Sequence, residues 1–582
     1  MHRAADTLRR NSQSEIRNSK FRIFPRLFLF LVTAIVLLYG VIYPNVSVVV
    51  TSLQQAGIWT LANYREALSQ RIVIEALLNS VGLSIGTVLL CALVGVPLAF
   101  LFERYTFPGR RLFAVLAALP LVLPPLVGTV AFIFLCGESG ILARAVQHLS
   151  GLQSSPWTLR GWPALLLFHT YTMYPFFYVL AGAGLRRIDA SLAEAARGLG
   201  ASKILVLRGV LLPQLTPSLI AAGLLTFMTS MASFSAPLLF GGGVRVLTLE
   251  IFTARQRGDV TMAVTETVIL AVISLAALIF FQRYEGTRNF AAAALKGATR
   301  TREVIGTGKA RALATLLAIV FSVVLVLPVA TLILVSFARE GSWTTETLPS
   351  AYTLGNYVRL FRDPQSSEVF LNSFAMSAIA ALAALFWSFC VVTLVMKRAN
   401  QQSSDKLKHI GHWRRLVSLL VLIPWALPGT VVAVSVAEAY GKPNWLLGSF
   451  VLVGTFWILP VVYFLRFMPL VVRALQASME QLDPTLDEAA GSLGAAAWQR
   501  FLRVTLPLVW PGAVAGTLLA FVIALGEYVA SVLVFVPENR PISIAIASEL
   551  RDFNLGAAAA YGVALIGIIA VSMMIAARLE RR

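Results

Sequence analysis

Glu194-Ala195-Ala196-Arg197-Gly198-Leu199-Gly200-Ala201 runs on to Leu211-Leu212-Pro213, and Glu488-Ala489-Ala490-Gly491-Ser492-Leu493-Gly494-Ala495 runs on to Thr505-Leu506-Pro507. In each stretch Gly follows Glu by six positions and Pro follows Glu by nineteen, and the two stretches stand 294 residues apart. Ala and Leu favour a short helix before the glycine. Gly200 and Gly494 permit a sharp reversal at φ > 0. A second short helix is expected next, with Ile204, Leu205 and Leu207 as its apolar positions in one copy and Trp498, Phe501 and Leu502 in the other. Pro213 and Pro507 then fall near the start of a long apolar helix, where a missing N–H is tolerated. Each stretch predicts a helix–turn–helix knob followed by a long apolar helix.

The repeat extends outward from the knobs. Trp59-Thr60-Leu61-Ala62-Asn63-Tyr64 answers Tyr352-Thr353-Leu354-Gly355-Asn356-Tyr357 at an offset of 293, and Asn79-Ser80 answers Asn372-Ser373 at the same offset. Pro120 and Pro124 are echoed by Pro424 and Pro428, and Phe227 by Phe521. Several matches in order, at nearly constant offset, mark an internal duplication.

Composition says where the repeats reside. Of the 582 residues, 58% are hydrophobic and 13% charged, too little polar cover for a soluble fold. A helix crossing the hydrocarbon needs about 20 apolar residues. Twelve such runs are present, near 27–50, 77–102, 112–136, 163–184, 213–240, 262–282, 312–336, 370–396, 416–437, 449–471, 508–535 and 557–578. The expected fold is an all-α integral membrane protein of about twelve transmembrane helices. These form two parallel six-helix repeats, because six crossings return the chain to its starting side, and a pseudo-two-fold axis along the membrane normal relates them. The expected division is a basic N-terminal tail over 1–26, a first six-helix domain over 27–282, a linker over 283–311 and a second six-helix domain over 312–582.

The net charge of +20 would suggest nucleic acid in a soluble chain. Here its distribution reports topology. With the N-terminus inside, the inner segments hold 34 Lys and Arg and the outer loops 13, and Arg466 alone lies within a span. That is the positive-inside pattern, so both termini and both knobs are placed in the cytoplasm, the loops near Asn63 and Asn356 outside, and anionic lipid rather than nucleic acid beside the basic loops. The first apolar run is too long for the core of a signal peptide and is read as an uncleaved span.

Several signals are set aside. Cys91, Cys136 and Cys390 fall in or at the end of spans without close partners and read as buried free thiols. His409 and His412 share helical spacing but no other ligand type is near, so no metal site is expected. Gly306-Thr307-Gly308-Lys309-Ala310 lacks the Ser or Thr and the glycine spacing of a phosphate loop. Asn45-Val46-Ser47 is a glycosylation triplet inside an apolar run. No nucleophile–base arrangement falls on one face of the membrane, so the chain itself is expected to be no enzyme. Gly82 and Gly86 form a GxxxG suited to close helix packing. Among intramembrane carboxylates, which are costly and often functional, Glu527 stands out as a path or gate residue or as a polar packing contact. Glu266 is placed nearer the outer edge, and Ser230, Ser233 and Ser235 line the fifth span with hydroxyls.

The pattern Glu-Ala-Ala-x3-Gly-x9-Val-x-Leu-Pro, with Val210 and Val504, resembles the signature of permeases of binding-protein-dependent ABC importers, and two six-span permease domains account for nearly the whole chain. The resemblance implies the type I importer permease fold. It makes Glu194, Ala195, Ala196, Gly200, Ala201 and Pro213, with Glu488, Ala489, Ala490, Gly494, Ala495 and Pro507, the coupling loops on which two cytoplasmic ATPase subunits dock. It implies a periplasmic solute-binding protein, a bacterial inner-membrane location, no cofactor in this chain, and ATP and Mg in the ATPase subunits. The fused form is similar to the ferric iron and thiamine permeases. Ser233-Phe234-Ser235-Ala236-Pro237 and Gly526-Glu527-Tyr528-Val529-Ala530-Ser531 resemble the iron branch, from which Ser233 and Tyr528 depart. Ferric iron is therefore the expected solute, with thiamine, phosphonate, sulfate and polyamine as alternatives. The translocation path is expected between Ser230, Ser233 and Ser235 on one side and Glu527, Tyr528 and Ser531 on the other. The rival class is a secondary transporter, which would need more intramembrane charge for ion coupling.

Overall fold

The computed structural model describes residues 28–287, 303–305, 308–343, 346–396, 407–443 and 448–580. Among the described residues, eleven helices are long and apolar enough to cross a membrane, and a bent pair makes a twelfth if its two helices are one span. In chain order the spans are Phe28–Ser52, Arg71–Arg104, Pro125–Ser150, Gly161–Arg187, Lys203–Met231, Val260–Phe281, Gly308–Ser336, Pro364–Thr393, the pair Leu416–Ala426 and Gly429–Tyr440, Ile458–Glu480, Trp498–Leu525, and Leu555–Leu579. They are numbered one to twelve below. The expected all-α membrane fold is what the chain adopts.

Four of the apolar runs are not single helices. The third begins as a separate helix, Arg110–Leu116, and restarts at Pro125 after a 3-10 turn over Leu119–Val122. The ninth bends by 105° where Pro428 sits at the helix cap with φ −52° and ψ 149°, a conformation outside the α region. Spans five and eleven stop at Met231 and Leu525 and resume as the short helices Ser235–Phe240 and Val529–Val534. A span-length average of hydropathy does not register these breaks, because each run stays apolar on average despite Ser233 and Glu527 at two of them.

The halves are interlocked through their first helices. Span one packs against Gly429–Tyr440 of the second half as well as against span six, with Tyr43 edge-on to Tyr440 at 5.8 Å and Thr51 Oγ1 donating to Glu438 at 3.1 Å. Span seven reciprocally packs on Pro125–Cys136 and Arg110–Leu116 of the first half, and Tyr171 donates to the Leu325 carbonyl at 2.8 Å.

The repeated Asn-Tyr motif has one job in both halves. Asn63 donates to the carbonyls of Ser52 and Gln54 at 2.9 and 3.0 Å, and Asn356 to those of Ser336 and Ala338 at 2.9 Å. Tyr64 shares a 2.6 Å hydrogen bond with Ser52, and Tyr357 one with Ser336. These contacts satisfy carbonyls that the ends of spans one and seven leave without an intrahelical partner. Gly82 and Gly86 face span four, where an added Cβ would meet Trp162 at 3.2 Å and Leu166 at 3.0 Å.

The N-terminal tail over 1–26 lies outside the described residues, as does most of the linker. Span six ends its helix at Thr287 and span seven starts at Gly308, and the linker residues Glu303–Val304 pair in parallel with Tyr105–Thr106. The side chains of His409 and His412 also lie outside the described set. Among the described residues no group of His, Cys, Asp and Glu has metal-ligand geometry.

Candidate functional site: twin knobs and broken helices

Both knobs form, with the same internal geometry. The first is Ala190–Gly198 followed by Lys203–Val206, and the second is Pro484–Ser492 followed by Ala497–Arg500. Asp189 caps the first helix by accepting from the Ser191 N–H, and Asp483 caps its counterpart by accepting from the Thr485 N–H. That backbone bond holds the Asp483 carboxyl below the usual carboxylate range. The reversal is a Schellman turn in each copy. Gly200 has φ +85° and Gly494 φ +82°. Gly200 N–H donates to Arg197 O and Ala201 N–H to Ala196 O, while Gly494 N–H donates to Gly491 O and Ala495 N–H to Ala490 O.

Glu194 and Glu488 are exposed on the knobs. At each tip stands a leucine with almost no cover: Leu199 is 90% and Leu493 89% exposed. Neither was singled out from sequence. The signal was there, a Leu directly before the αL glycine in both copies.

The two knobs are tied together differently. In the first, Ala193 and Val206 bury against Leu211. At the positions 294 residues on, Asp487 and Arg500 form an ion pair at 3.4 Å, and Arg500 also donates to the Asp487 carbonyl. Gly491 leaves room for the Arg500 guanidinium, which a Cβ would meet at 2.7 Å.

Pro213 and Pro507 stand near the start of the α-helices Leu212–Met231 and Leu506–Leu525, as expected, but no loop precedes those helices. Each lies inside a continuous helix, Lys203–Met231 or Trp498–Leu525, directly after a π-helical turn, Leu207–Leu211 or Phe501–Thr505. The wide turn closes with Leu212 N–H on Leu207 O, and Leu506 N–H on Phe501 O. A π-turn shifts the bonding register by one residue, which is how a helix absorbs a proline's missing N–H and bulky ring. Each knob therefore continues without a loop into spans five and eleven, which carry it to the mid-chain breaks roughly 40 Å away.

At the breaks the structure brings the predicted path residues together, in two unlike clusters. In the first half Ser230 and Ser233 both bond His169: Ser230 lies 3.1 Å from Nδ1 and Ser233 2.9 Å from Nε2. Thr87 adds a 3.3 Å contact to Nδ1. Ser235 accepts from Thr129 at 3.4 Å. In the second half Glu527 accepts from the Ala530 N–H at 2.9 Å through Oε1, and its Oε2 lies 3.3 Å from Arg466 Nε. Ser531 and Ser543 donate to the Glu527 carbonyl at 2.6 and 2.9 Å, and Tyr463 shares a 2.7 Å hydrogen bond with Ser531. Tyr528 is 5% exposed and packs on Phe234 of the other half.

Glu527 is thus no isolated carboxylate. Its partner Arg466 was visible in the sequence as the one basic residue inside a span. His169 and Tyr463 were not singled out, although the repeat offset of 294 makes them equivalent. Glu266 is 2% exposed in span six, and its Oε2 has no hydrogen-bond partner among the described residues.

The family described as "Binding-protein-dependent transport system inner membrane component" matches residues 93–285 and again 407–582. A protein of Sinorhizobium fredii described as "Probable ABC transporter permease protein" is 32% identical over 89% of this chain and 89% of its own length. A ferric transport system permease protein of Actinobacillus pleuropneumoniae is 23% identical over 92% of this chain and 75% of its own. A protein of Chlorella vulgaris described as "Probable sulfate transport system permease protein" is 31% identical over 36% of this chain and 77% of its own.

Proposed function

This chain belongs to the family of binding-protein-dependent transport system inner membrane components, and from that premise we propose that it is the two-domain permease of an ATP-driven importer of ferric iron. It does no covalent chemistry itself. Two ATPase subunits in the cytoplasm, holding ATP and Mg, dock on the knobs around Glu194, Ala195, Ala196, Gly200 and Ala201 and around Glu488, Ala489, Ala490, Gly494 and Ala495. A soluble binding protein delivers the solute at the outer face. The membrane is the bacterial inner membrane with both termini inside, a reading supported by the split of 34 basic residues against 13. The proposed domains are 27–282 and 312–582.

One observation supports coupling above the others. The second helix of each knob is the first part of the same helix that ends at the path, with Pro213 or Pro507 and its π-turn between. A displacement of the knobs by a closing ATPase pair passes along spans five and eleven to Ser230, Ser233, Ser235, Glu527, Tyr528 and Ser531, and rocks the halves about a central route. Iron is supported by likeness to a ferric permease along both halves. The sulfate relative matches 36% of this chain.

The test is uptake by proteoliposomes holding the permease with its ATPase and binding protein. Radioactive ferric iron should accumulate in an ATP-dependent way, and sulfate should not. Sulfate uptake without iron uptake would replace the solute but keep the permease reading. Accumulation of either without ATP would point to a secondary transporter.

A further inference from the structure

The two breaks differ in charge. The offset of 294 sets Ser233 against Glu527 and Thr172 against Arg466. The first half closes its break with neutral hydrogen bonds around His169. The second half closes its break with an ion pair, whose side chains are 19% and 6% exposed.

The pair is necessary but loosely made. A carboxylate alone at this depth would be costly, and Arg466 is the opposite charge that faces it. Strong guanidinium–carboxylate contacts are bidentate, with two parallel N–H···O bonds. Here one nitrogen, Nε, faces one oxygen at 3.3 Å. Nη1 of Arg466 is buried with no hydrogen-bond partner among the described residues and lies over Gly429, where any Cβ would collide with it. The glycine at the bend of span nine thus gives the guanidinium room beside the carboxylate. Within one turn of Glu527 stand the hydroxyls of Ser531 and, bonded to it, Tyr463. Carboxylate and hydroxyl oxygens are the donor type that hard, highly charged cations prefer.

We propose that Arg466 is a displaceable counter-ion that occupies the cation's place at Glu527 between transport events, and that a multivalent metal cation exchanges with its guanidinium during passage. The inference rests on the reading that the broken helices line the path. It assigns Arg466 the part of a specificity-determining residue: it keeps an empty Glu527 side chain from trapping the cargo, and it returns to Glu527 as the cargo leaves. A neutral or anionic solute would gain nothing from this exchange.

Terbium(III) tests it without relying on iron transport, since Tb(III) is a hard trivalent ion whose emission is excited by nearby tyrosines such as Tyr463 and Tyr528. The full permease in lipid nanodiscs at neutral pH is titrated as wild type, Arg466→Met, Arg466→Gln and Arg466→Met/Glu527→Gln. Arg466→Gln keeps a hydrogen-bond donor for the carboxylate and serves where the Met variant fails to fold. Removing the competing charge should tighten the tyrosine-sensitised Tb(III) site by about tenfold or more, and the double variant should lose it. Single variants that bind no more tightly than wild type, or a double variant that keeps the site, overturn the proposal. Ferric uptake is read separately: its absence beside a positive Tb(III) result would reject iron while leaving the exchange intact.

Discussion

Phe234 and Tyr528 stand at equivalent positions of the two halves, 294 residues apart, and their rings meet with centroids 5.9 Å apart. A residue can touch its own repeat-mate only near the axis that relates the repeats. The pseudo-two-fold axis therefore passes between these rings, and the centre of the proposed route is closed by an aromatic contact, extended by Phe252 edge-on to Phe234 at 5.2 Å. Truncating both rings leaves a void on the axis. Phe234→Ala/Tyr528→Ala should make proteoliposomes leak a small cation without ATP, at a stability loss of roughly 3–5 kcal/mol per ring. Tyr528→Phe, which copies the first half's residue, should stay tight. A double variant as tight as wild type would place the seal elsewhere.

The knob glycines allow a clean backbone test. An added Cβ at Gly200 or Gly494 meets nothing within 4 Å, so substitution there costs only what the positive φ imposes, about 1–2 kcal/mol for a β-carbon-bearing residue. Gly200→Val/Gly494→Val should insert normally yet lose most of the ATPase stimulation by loaded binding protein. Gly200→Asn/Gly494→Asn should keep it, because Asn tolerates the left-handed conformation. Equal stimulation in both would reject the turn as a coupling element.

The unlike ties inside the knobs predict a rescue. Asp487→Ala leaves Arg500 without its carboxylate in a half-buried setting and should weaken stimulation by a few-fold. Asp487→Ala/Arg500→Val installs the pair found at Ala193 and Val206 and should restore it. High salt should weaken the wild-type second knob slightly, since an ion pair this exposed contributes about 1 kcal/mol or less. Failure of the double variant to exceed the single one would show that Arg500 contacts something other than its own knob.

How far the sequence carried this reading differs by feature. The twelve crossings, the duplication and the knobs were legible because they rest on local signals: apolar runs, a constant offset and an αL glycine. The breaks at Pro428, after Met231 and after Leu525 were not, since each run stays apolar on average and hydropathy does not register direction. The π-turns were hidden for a related reason: Pro213 and Pro507 stand near the start of their α-helices as expected, but nothing local shows that a π-turn joins each of them to the knob without a loop. Glu527 was found as a charge in an apolar run, yet its partner lies 61 positions away on span ten, and no periodicity joins the two. His169 was missed because a single histidine in an apolar helix carries no signal until Ser230 and Ser233 are seen to converge on it.

The repeat also swapped a packing pair. Gly184 of span four faces Ser218 of span five, where a Cβ would meet the serine Oγ at 2.6 Å. At the positions 294 residues on, Ser478 and Gly512 exchange roles, and a Cβ on Gly512 would collide with the Ser478 hydroxyl. One small residue per pair is what the spacing allows, and which helix supplies it is free. Gly184→Ser should cost roughly 1–3 kcal/mol by overpacking, and Gly184→Ser/Ser218→Gly should recover most of the loss. Melting of the detergent-purified protein reads both, and a double variant no more stable than the single would sever the comparison between halves.

Orientation and docking can be read in one experiment. Leu199 sits at a knob tip and is 90% exposed. Leu354 sits beside the Asn356 clamp, on the loop that the basic-residue count places outside, and is 65% exposed. Neither leucine holds the fold, whereas Asn356 does, through its bonds to Ser336 and Ala338. Leu354→Cys in intact cells should react with a membrane-impermeant maleimide, and Leu199→Cys should react only in inside-out vesicles. An apolar side chain left bare at a helical turn is what a partner's pocket would cover, so adding the ATPase subunit should protect Leu199→Cys and its counterpart Leu493→Cys while leaving Leu354→Cys reactive. The reverse pattern of labelling would invert the topology. Correct labelling without protection would keep the topology and move the docking surface off the knob tips.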